Sequence, residues 1–344
     1  MNNKKMFAII VCIIIAVAAT YLAGLQNIIG GPMIGLIIGM IIVNLLPKID
    51  SDFKAGTSFA GKKFLNLGII LAGATLNFSE IVGHGARALP LIIFNMCLSF
   101  TVASLVGKKI GVTKNTSTLV GGGTSICGGT AIATISSIIE AKETEIAYAM
   151  TAIFLFDVLA AISYPYLAGI IGITDNQFAI LAGTAINDTS SVAAAEATYS
   201  ILRGIDFNAA IAIKLARTTM LIPLAIIITL VKVKNASKNN SGDTEQKSIG
   251  ETVMKAFPWF ILIFLVMAIL NTVGAFNAIP NGSKFFSKSY KFLITAALAG
   301  VGFKIQFKDL FTEGVKPMIL GGLTWLAVFL SSMTFIHLFA NTIG

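Results

Sequence analysis

Residues 6–24, MFAIIVCIIIAVAATYLAG, hold no charged side chain, and long apolar runs of this kind recur along nearly the whole chain. Roughly 18 to 20 such residues suffice to cross a hydrocarbon core about 30 Å thick. Within that core no water can satisfy backbone N–H and C=O groups, so a spanning run must fold as a helix or join a closed barrel. The runs are long enough for helices. Spans are expected at 6–24, 31–46, 64–79, 88–106, 146–171, 207–231, 256–275, 292–306 and 317–341. Two further segments, 117–139 and 178–200, have span length but are rich in Gly, Ala, Ser and Thr. The expected fold is therefore an all-α integral membrane protein with about nine full transmembrane helices and two interrupted or re-entrant segments.

Composition leaves little room for anything else. With 56% hydrophobic and 12% charged residues, the chain lies outside the usage of a soluble domain. A single transmembrane domain over 1–344 is expected, with residues 232–255 as a polar cytoplasmic loop. The net charge of +9 comes from lysines at the ends of apolar runs, which is a topology signal rather than a nucleic-acid footprint. The amino-terminal run could be a cleaved signal peptide, but its length and the closely following second span favour an uncleaved first helix.

Short cytoplasmic loops collect Lys and Arg. If Lys4 and Lys5 lie inside, so do Lys48, Lys54, Lys62, Lys63, Lys108, Lys109, Lys114, the 232–255 lysines, Lys304, Lys308 and Lys316. Outside fall Arg87, Arg203, Lys284, Lys288 and Lys291, the last three in a 284–291 loop that breaks the pattern. The amino terminus is expected in the cytoplasm and the carboxy terminus outside, in a plasma (inner) membrane. For this tally to hold, segments 117–139 and 178–200 must both span or both turn back.

An internal repeat favours turning back. GTSICGGTAIA (123–133) and GTAINDTSSVA (183–193) align without a gap: Gly123 with Gly183, Thr124 with Thr184, Ile126 with Ile186 and Ala133 with Ala193. A looser pair, 59–81 and 286–310, would run in opposite directions across the membrane, as inverted repeats do. If the first pair is also inverted, each segment dips in from its own face.

The first motif has the spacing of a phosphate-binding P-loop, Gly123, four residues, Gly128, Gly129 and Thr130. However, Gly129 stands where the phosphate-binding lysine belongs, and the segment lies in a membrane rather than after a strand. A nucleotide site is excluded on those grounds. Instead, glycines and short hydroxyls allow a helix to break where it lines a cavity, and the free helix ends can face a substrate. The alternative is close helix packing alone. The expected substrate-binding residues are Thr124, Ser125, Cys127, Gly128, Gly129 and Thr130 on one side, and Asn187, Asp188, Thr189 and Ser190 on the other.

Ionisable residues inside spans are costly and mostly paired or functional. Lys214 and Arg217, on one helix face, are candidates to hold an anion; Asp157 and Asp188 are candidates for an ion pair or for a coupling ion, H+ or Na+. The structural alternatives are an Asp157–Arg217 pair and a helix cap at Asp188. Cys12, Cys97 and Cys127 share no ligand spacing, so neither a metal nor a cofactor is expected. No nucleophile, base and orienter set is evident, so an enzyme is not expected.

GGGTSICGGTAIAT, AGTAINDTSSVAAA and IKLARTTMLIPL together resemble the YeiH-type family of bacterial membrane proteins, labelled sulfate exporters. The resemblance covers nearly the whole chain, and its most specific core is TSICG, residues 124–128. It implies a multi-spanning inner-membrane protein that exports sulfate or a related sulfur oxyanion by assignment. Where the family commonly carries IHD or VHE, this chain has Ile186, Asn187 and Asp188. Position 187 therefore lacks a titratable histidine, whereas Asp188 is retained. The expected function is a secondary transporter of a small anion, with the lipid bilayer as its medium, no nucleic-acid partner, and a homo-oligomer compatible with the sequence. An anion channel and a membrane scaffold or sensor are the alternatives.

Overall fold

The computed structural model describes residues 3–26, 30–46, 51–205, 208–238, 259–276, 280–304 and 315–339. Among them every regular element is an α-helix. In chain order these are α1 (Asn3–Gly24), α2 (Gly31–Leu45), α3 (Ser51–Gly73), α4 (Phe78–Ile110), α5 (Lys114–Ser125), α6 (Gly129–Ile139) and α7 (Glu143–Ile171). There follow α8 (Asp175–Ala185), α9 (Thr189–Arg203), α10 (Ala209–Thr219), α11 (Leu221–Lys238), α12 (Trp259–Thr272), α13 (Gly282–Gly302) and α14 (Val315–Leu338).

Among the described residues five stretches, Asn3–Gly24, Ile81–Ile110, Thr144–Ile171, Ala209–Lys232 and Val315–Leu338, are long and apolar enough to cross a membrane, and α2, α6 and α12 are shorter apolar helices. Phe7, Ile14, Phe94, Leu105 and Leu330 are exposed on the outer surface. Such an apolar exterior suits lipid and not water.

Several boundaries differ from the hydropathy reading. The apolar run at 64–79 belongs to α3, which starts at Ser51 and stops at Gly73, because Asn77 caps α4 by accepting from Ser79 N–H at 3.0 Å. α4 therefore begins ten residues before the expected span at 88. The 207–231 span divides into α10 and α11 at Met220, three residues before Pro223, which cannot donate a backbone hydrogen bond to Thr219. The expected 284–291 loop is instead the first turns of α13, which places Lys284, Lys288 and Lys291 on a helix. α11 continues to Lys238; residues 239–255 of the expected polar loop lie outside the described residues.

Small residues set the packing beneath the lipid-facing helices. Gly300 lies against Thr57 O, while a side chain on Gly68 would sit 2.9 Å from Ile294 Cγ1, so α3 and α13 run antiparallel. α2 lies parallel to α13, with Gly35 so close that a Cβ would be 2.9 Å from Thr295 O. Backbones approach this closely in membranes where glycine and alanine line the seam.

The two glycine-rich segments are interrupted helices, α5/α6 and α8/α9. Glu145, at the start of α7, accepts from Thr113 Oγ1 at 2.7 Å, from Asn115 Nδ2 at 3.0 Å and from the backbone N–H of Lys142 at 3.0 Å. This carboxylate ties the start of α5 to the start of α7. α6 ends at Ile139, three residues before Lys142, so the α5/α6 segment leaves and returns at one end of α7. Lys232 of α11 reaches Glu140 at 2.6 Å on that same face.

At the other end of α7, Tyr199 OH donates to Asp175 Oδ1 at 2.7 Å, and Arg203 Nη2 donates to Ile173 O at 3.4 Å. The rings of Phe178 and Tyr199 stack with centroids 3.7 Å apart. The close of α9 is thereby fastened beside the opening of α8. Each segment is a helical hairpin, and the two insert from opposite ends of α7. That helix of 29 residues is about 43 Å long.

Candidate functional site

The hairpin tips meet at Asp157, fourteen residues from each end of α7. Gly128, at the turn between α5 and α6, has φ +64° and ψ −114°. A side chain there would lie 3.3 Å from Ile153 Cγ2, 3.7 Å from Asp157 Oδ2 and 3.7 Å from the Cα of Asp188 in the opposing tip. Positive φ is strained for L-residues, so glycine is required both for the turn and for the closeness of the two tips.

Breaking two helices at this depth exposes two carboxy-terminal ends, whose last carbonyls lack intrahelical donors and carry partial negative charge. α10 answers both. Lys214 Nζ donates to Ile126 O at 2.5 Å and to Ile186 O at 3.0 Å. Arg217 Nε donates to Ser125 O at 2.9 Å, Nη1 to Ile186 O at 3.2 Å and also to Thr184 O, and Nη2 to Thr124 O. Lys214 and Arg217 are 0% and 1% exposed. Removing a cation from water costs several kcal/mol, but each hydrogen bond to a charged group returns about 1.5–3 kcal/mol, so four such bonds hold Arg217 in place.

The amino-terminal end of α9 has the opposite polarity and faces a carboxylate. Asp157 Oδ1 accepts from Asn187 N–H at 2.7 Å and Asp188 N–H at 3.2 Å. Asp188 caps α9 itself, accepting at Oδ2 from Ser190 N–H at 2.8 Å and from the Ser190 hydroxyl. The helix-cap reading of Asp188 thus describes its geometry. Among the described residues no ion pair within 4 Å joins Asp157 to Arg217, because each is committed to a helix end of opposite sign.

The structure brings together Thr124, Ser125, Cys127, Gly128, Asn187, Asp188, Asp157, Lys214 and Arg217. Ser125 is turned inward, donating to Gly122 O at 2.8 Å. Thr189 and Ser190 are buried in the first turn of α9, whereas Gly129 is partly exposed and Thr130 is exposed on α6, away from the core.

Several buried polar atoms at the tips have no hydrogen-bond partner among the described residues. These are Thr124 Oγ1, both side-chain polar atoms of Asn187, and Asp157 Oδ2. Each such atom is costly unless something completes it. Thr124 stands at the end of α5, Asn187 in the turn before α9 and Asp157 at the middle of α7, so each of these donors and acceptors lies beside a helix end.

Sequence reasoning overlooked two supporting residues. Asn95 of α4 donates from Nδ2 to Ser332 Oγ of α14 at 3.0 Å, and Ser332 Oγ lies 3.0 Å from Thr184 Oγ1, just below the α8 tip. An amide near the middle of an apolar span was the available signal for Asn95.

Comparison with known proteins agrees with the resemblance at family level. Residues 7–321 match the profile of the family described as conserved hypothetical protein 698. A UPF0324 membrane protein of Fusobacterium nucleatum is 35% identical over 96% of this chain and 97% of its own length. One from Clostridium tetani is 36% identical over 96% and 98%, and one from Streptococcus pyogenes serotype M6 is 34% identical over 96% of each chain.

Proposed function

We propose that this chain, which belongs to the conserved hypothetical protein 698 family of UPF0324 membrane proteins, is a secondary transporter that moves a small anion by alternating access around the two hairpin tips. The observation that carries the reading is the convergence of two interrupted helices, inserted from opposite faces, on buried polar atoms without protein partners. Discontinuous helices from inverted repeats that meet near the midplane are the recurrent design of secondary transporter sites. Here α5/α6 and α8/α9 supply such a pair, and antiparallel α3 and α13 supply a second inverted element.

A small oxyanion matches the donors on offer. The first N–H groups of α6, the Thr124 hydroxyl and the Asn187 amide can surround it, and a helix amino terminus favours negative charge. Sulfate or another sulfur oxyanion is the substrate class. Lys214 and Arg217 contribute positive potential from behind the tips, since much of their donor capacity is spent on carbonyls. Asp157 Oδ2 is suited to the coupling ion: as a carboxylic acid it can donate to an oxyanion, and as a carboxylate it repels one. This reading involves no catalysis.

The face that gathers Lys108, Lys109, Lys114, Lys142, Lys232 and Lys316 is the cytoplasmic one by the positive-inside rule, in a plasma membrane, and export from that face is the direction this reading adopts from the family resemblance. Exchange of radiolabelled sulfate, and then of sulfite and sulfonates, across proteoliposomes tests the reading. Saturable exchange that is lost in Thr124→Val and Asn187→Leu supports it. Non-saturable flux would indicate a channel, and no flux of any anion a scaffold or sensor.

A further inference from the structure

A second buried carboxylate lies outside the tips. Glu196, on α9, is 1% exposed and sits about 12 Å from Asp188 along the helix axis. Its Oε1 accepts from Ala210 N–H at 2.6 Å, capping α10. The cap residue of α10 by position, Asn208, has its own side chain engaged elsewhere: Nδ2 donates to Thr75 Oγ1 at 3.0 Å, and Oδ1 accepts from Tyr290 OH at 2.7 Å.

Capping needs only one oxygen. Glu196 Oε2 has no partner among the described residues, and Glu196 lines a narrow cleft of about 10 Å³, room for about one water, together with Ser200, Asn208, Tyr290 and Lys291. The cleft belongs to the face where α9 ends. α9 contributes Ser200, three residues before its end; α10 contributes the residue before its start; and α2 begins there, with Gly30 N–H donating to Thr198 Oγ1 at 3.3 Å.

The ionisable groups around Glu196 are few. α13 brings Tyr290 and Lys291 to the cleft, and α2 carries no titratable side chain. Lys214 and Arg217 of α10 are held at the tips, and Asp157 of α7 faces the start of α9. Asp175 of α8 is bound by Tyr199 and lies 3.5 Å from Arg203. On α9 itself, Asp188 caps the first turn, and Tyr199 and Arg203 close the far end.

We propose that Glu196 is a proton-binding site: a carboxyl that takes a proton at Oε2 from water in the α9–α10–α13 cleft and returns it there, independently of the anion site at the tips. One O–H bond forms as one O–H bond of hydronium breaks, and no other group need change. On the transporter reading above, on which this further step rests, Glu196 takes up a proton on the α8/α9 side, about 12 Å along α9 from the tips, and supplies it to Asp157, which remains the group that couples it to the anion.

Infrared difference spectroscopy of the reconstituted full chain between acidic and alkaline buffer tests the site without any substrate. The expected result is a pH-induced carboxylic C=O band, resolved from those of the chain's other Asp and Glu residues in the wild-type-minus-variant spectrum, that Glu196→Gln removes and Asp157→Asn leaves. Gln keeps an acceptor for Ala210 N–H, so the cap survives. If Glu196→Gln does not fold, Glu196→Asp replaces it, and the band is expected to move in frequency. A wild-type spectrum without the band, or a band unchanged by either Glu196 variant, overturns the proposal. Labelled-sulfate counterflow, which needs no proton gradient, reports separately on the transporter reading: a Glu196 band in a protein with no counterflow of sulfate, sulfite or sulfonates retains the proton site and removes only its coupling role.

Discussion

Lys214 and Arg217, one turn apart on α10, donate to the same acceptor, the carbonyl of Ile186, at 3.0 and 3.2 Å. Two cations so close repel unless negative charge lies between them. Here that negative charge is the carboxy-terminal end of α8, reinforced by the end of α5. Asp157, facing the amino-terminal end of α9, completes the pattern: each of these three buried ionisable side chains meets a helix end of opposite polarity.

Removing the guanidinium should therefore act on stability first. Arg217→Met leaves the carbonyls of Thr124, Ser125 and Thr184 without that donor, and uncovering a buried charged network costs about 3–5 kcal/mol. Arg217→Lys should recover only part, since one ammonium cannot reach both tips as the planar fork does. Thermal unfolding in detergent measures both. Should a Lys214→Ala, Arg217→Ala double variant fold well and transport anions normally, neither the caps nor their potential would matter.

Asp157→Asn should be mild for folding and severe for function. Its Oδ1 can still accept from Asn187 and Asp188 N–H, so a loss on the order of 1 kcal/mol is expected, against about 3–5 kcal/mol for Asp157→Leu, which strips the α9 end of its partner. Transport by the Asn variant should no longer respond to pH. A pH profile identical to that of the wild type would move the coupling ion elsewhere.

Neighbouring glycines should behave differently. Gly128→Ala must adopt φ +64° and place a methyl 3.3 Å from Ile153, costing about 1–2 kcal/mol and parting the tips. Gly129→Ala lies in the first turn of α6 with ordinary contact, 3.4 Å, to Met150 Sδ, and should retain both stability and transport. Equal tolerance at the two positions would contradict the tip geometry.

The hairpins predict sidedness. In a variant lacking Cys12, Cys97 and Cys127, cysteines at Lys114 and Glu140 should react with an impermeant maleimide from one face, and cysteines at Asn176 and Gly204 from the other. Labelling of Lys114 and Glu140 from opposite faces would make α5/α6 a span.

Much of this was legible in the sequence because membrane physics limits the choices. Charge-free runs gave the helices, and the matched GTSICGGTAIA and GTAINDTSSVA motifs marked both interruptions, at 126–128 and 186–188. The partners of the buried charges were not legible. Lys214 and Ile126 are 88 positions apart, and backbone carbonyls leave no trace in residue type, so the cations read as anion ligands when they chiefly serve as helix caps. Glu196 was overlooked within the alanine-rich SVAAAEATYS, although a lone carboxylate in such a stretch is itself a signal. Helix starts at Ser51 and Gly282 were missed because lysines at 54, 62, 63, 284 and 288 lower the hydropathy without breaking the helix.

The most direct test of an anion site at the tips is thermal unfolding of the purified protein against sulfate, sulfite, taurine, other sulfonates, phosphate and carboxylates, with and without sodium, at two pH values. A ligand at about 100 times its dissociation constant stabilises by about 2.7 kcal/mol. The site described here predicts such a shift for one class of small oxyanion, and its loss in Thr124→Val and Asn187→Leu variants that still unfold cooperatively. A cooperative wild-type protein that no anion stabilises, or a shift that survives both substitutions, contradicts it.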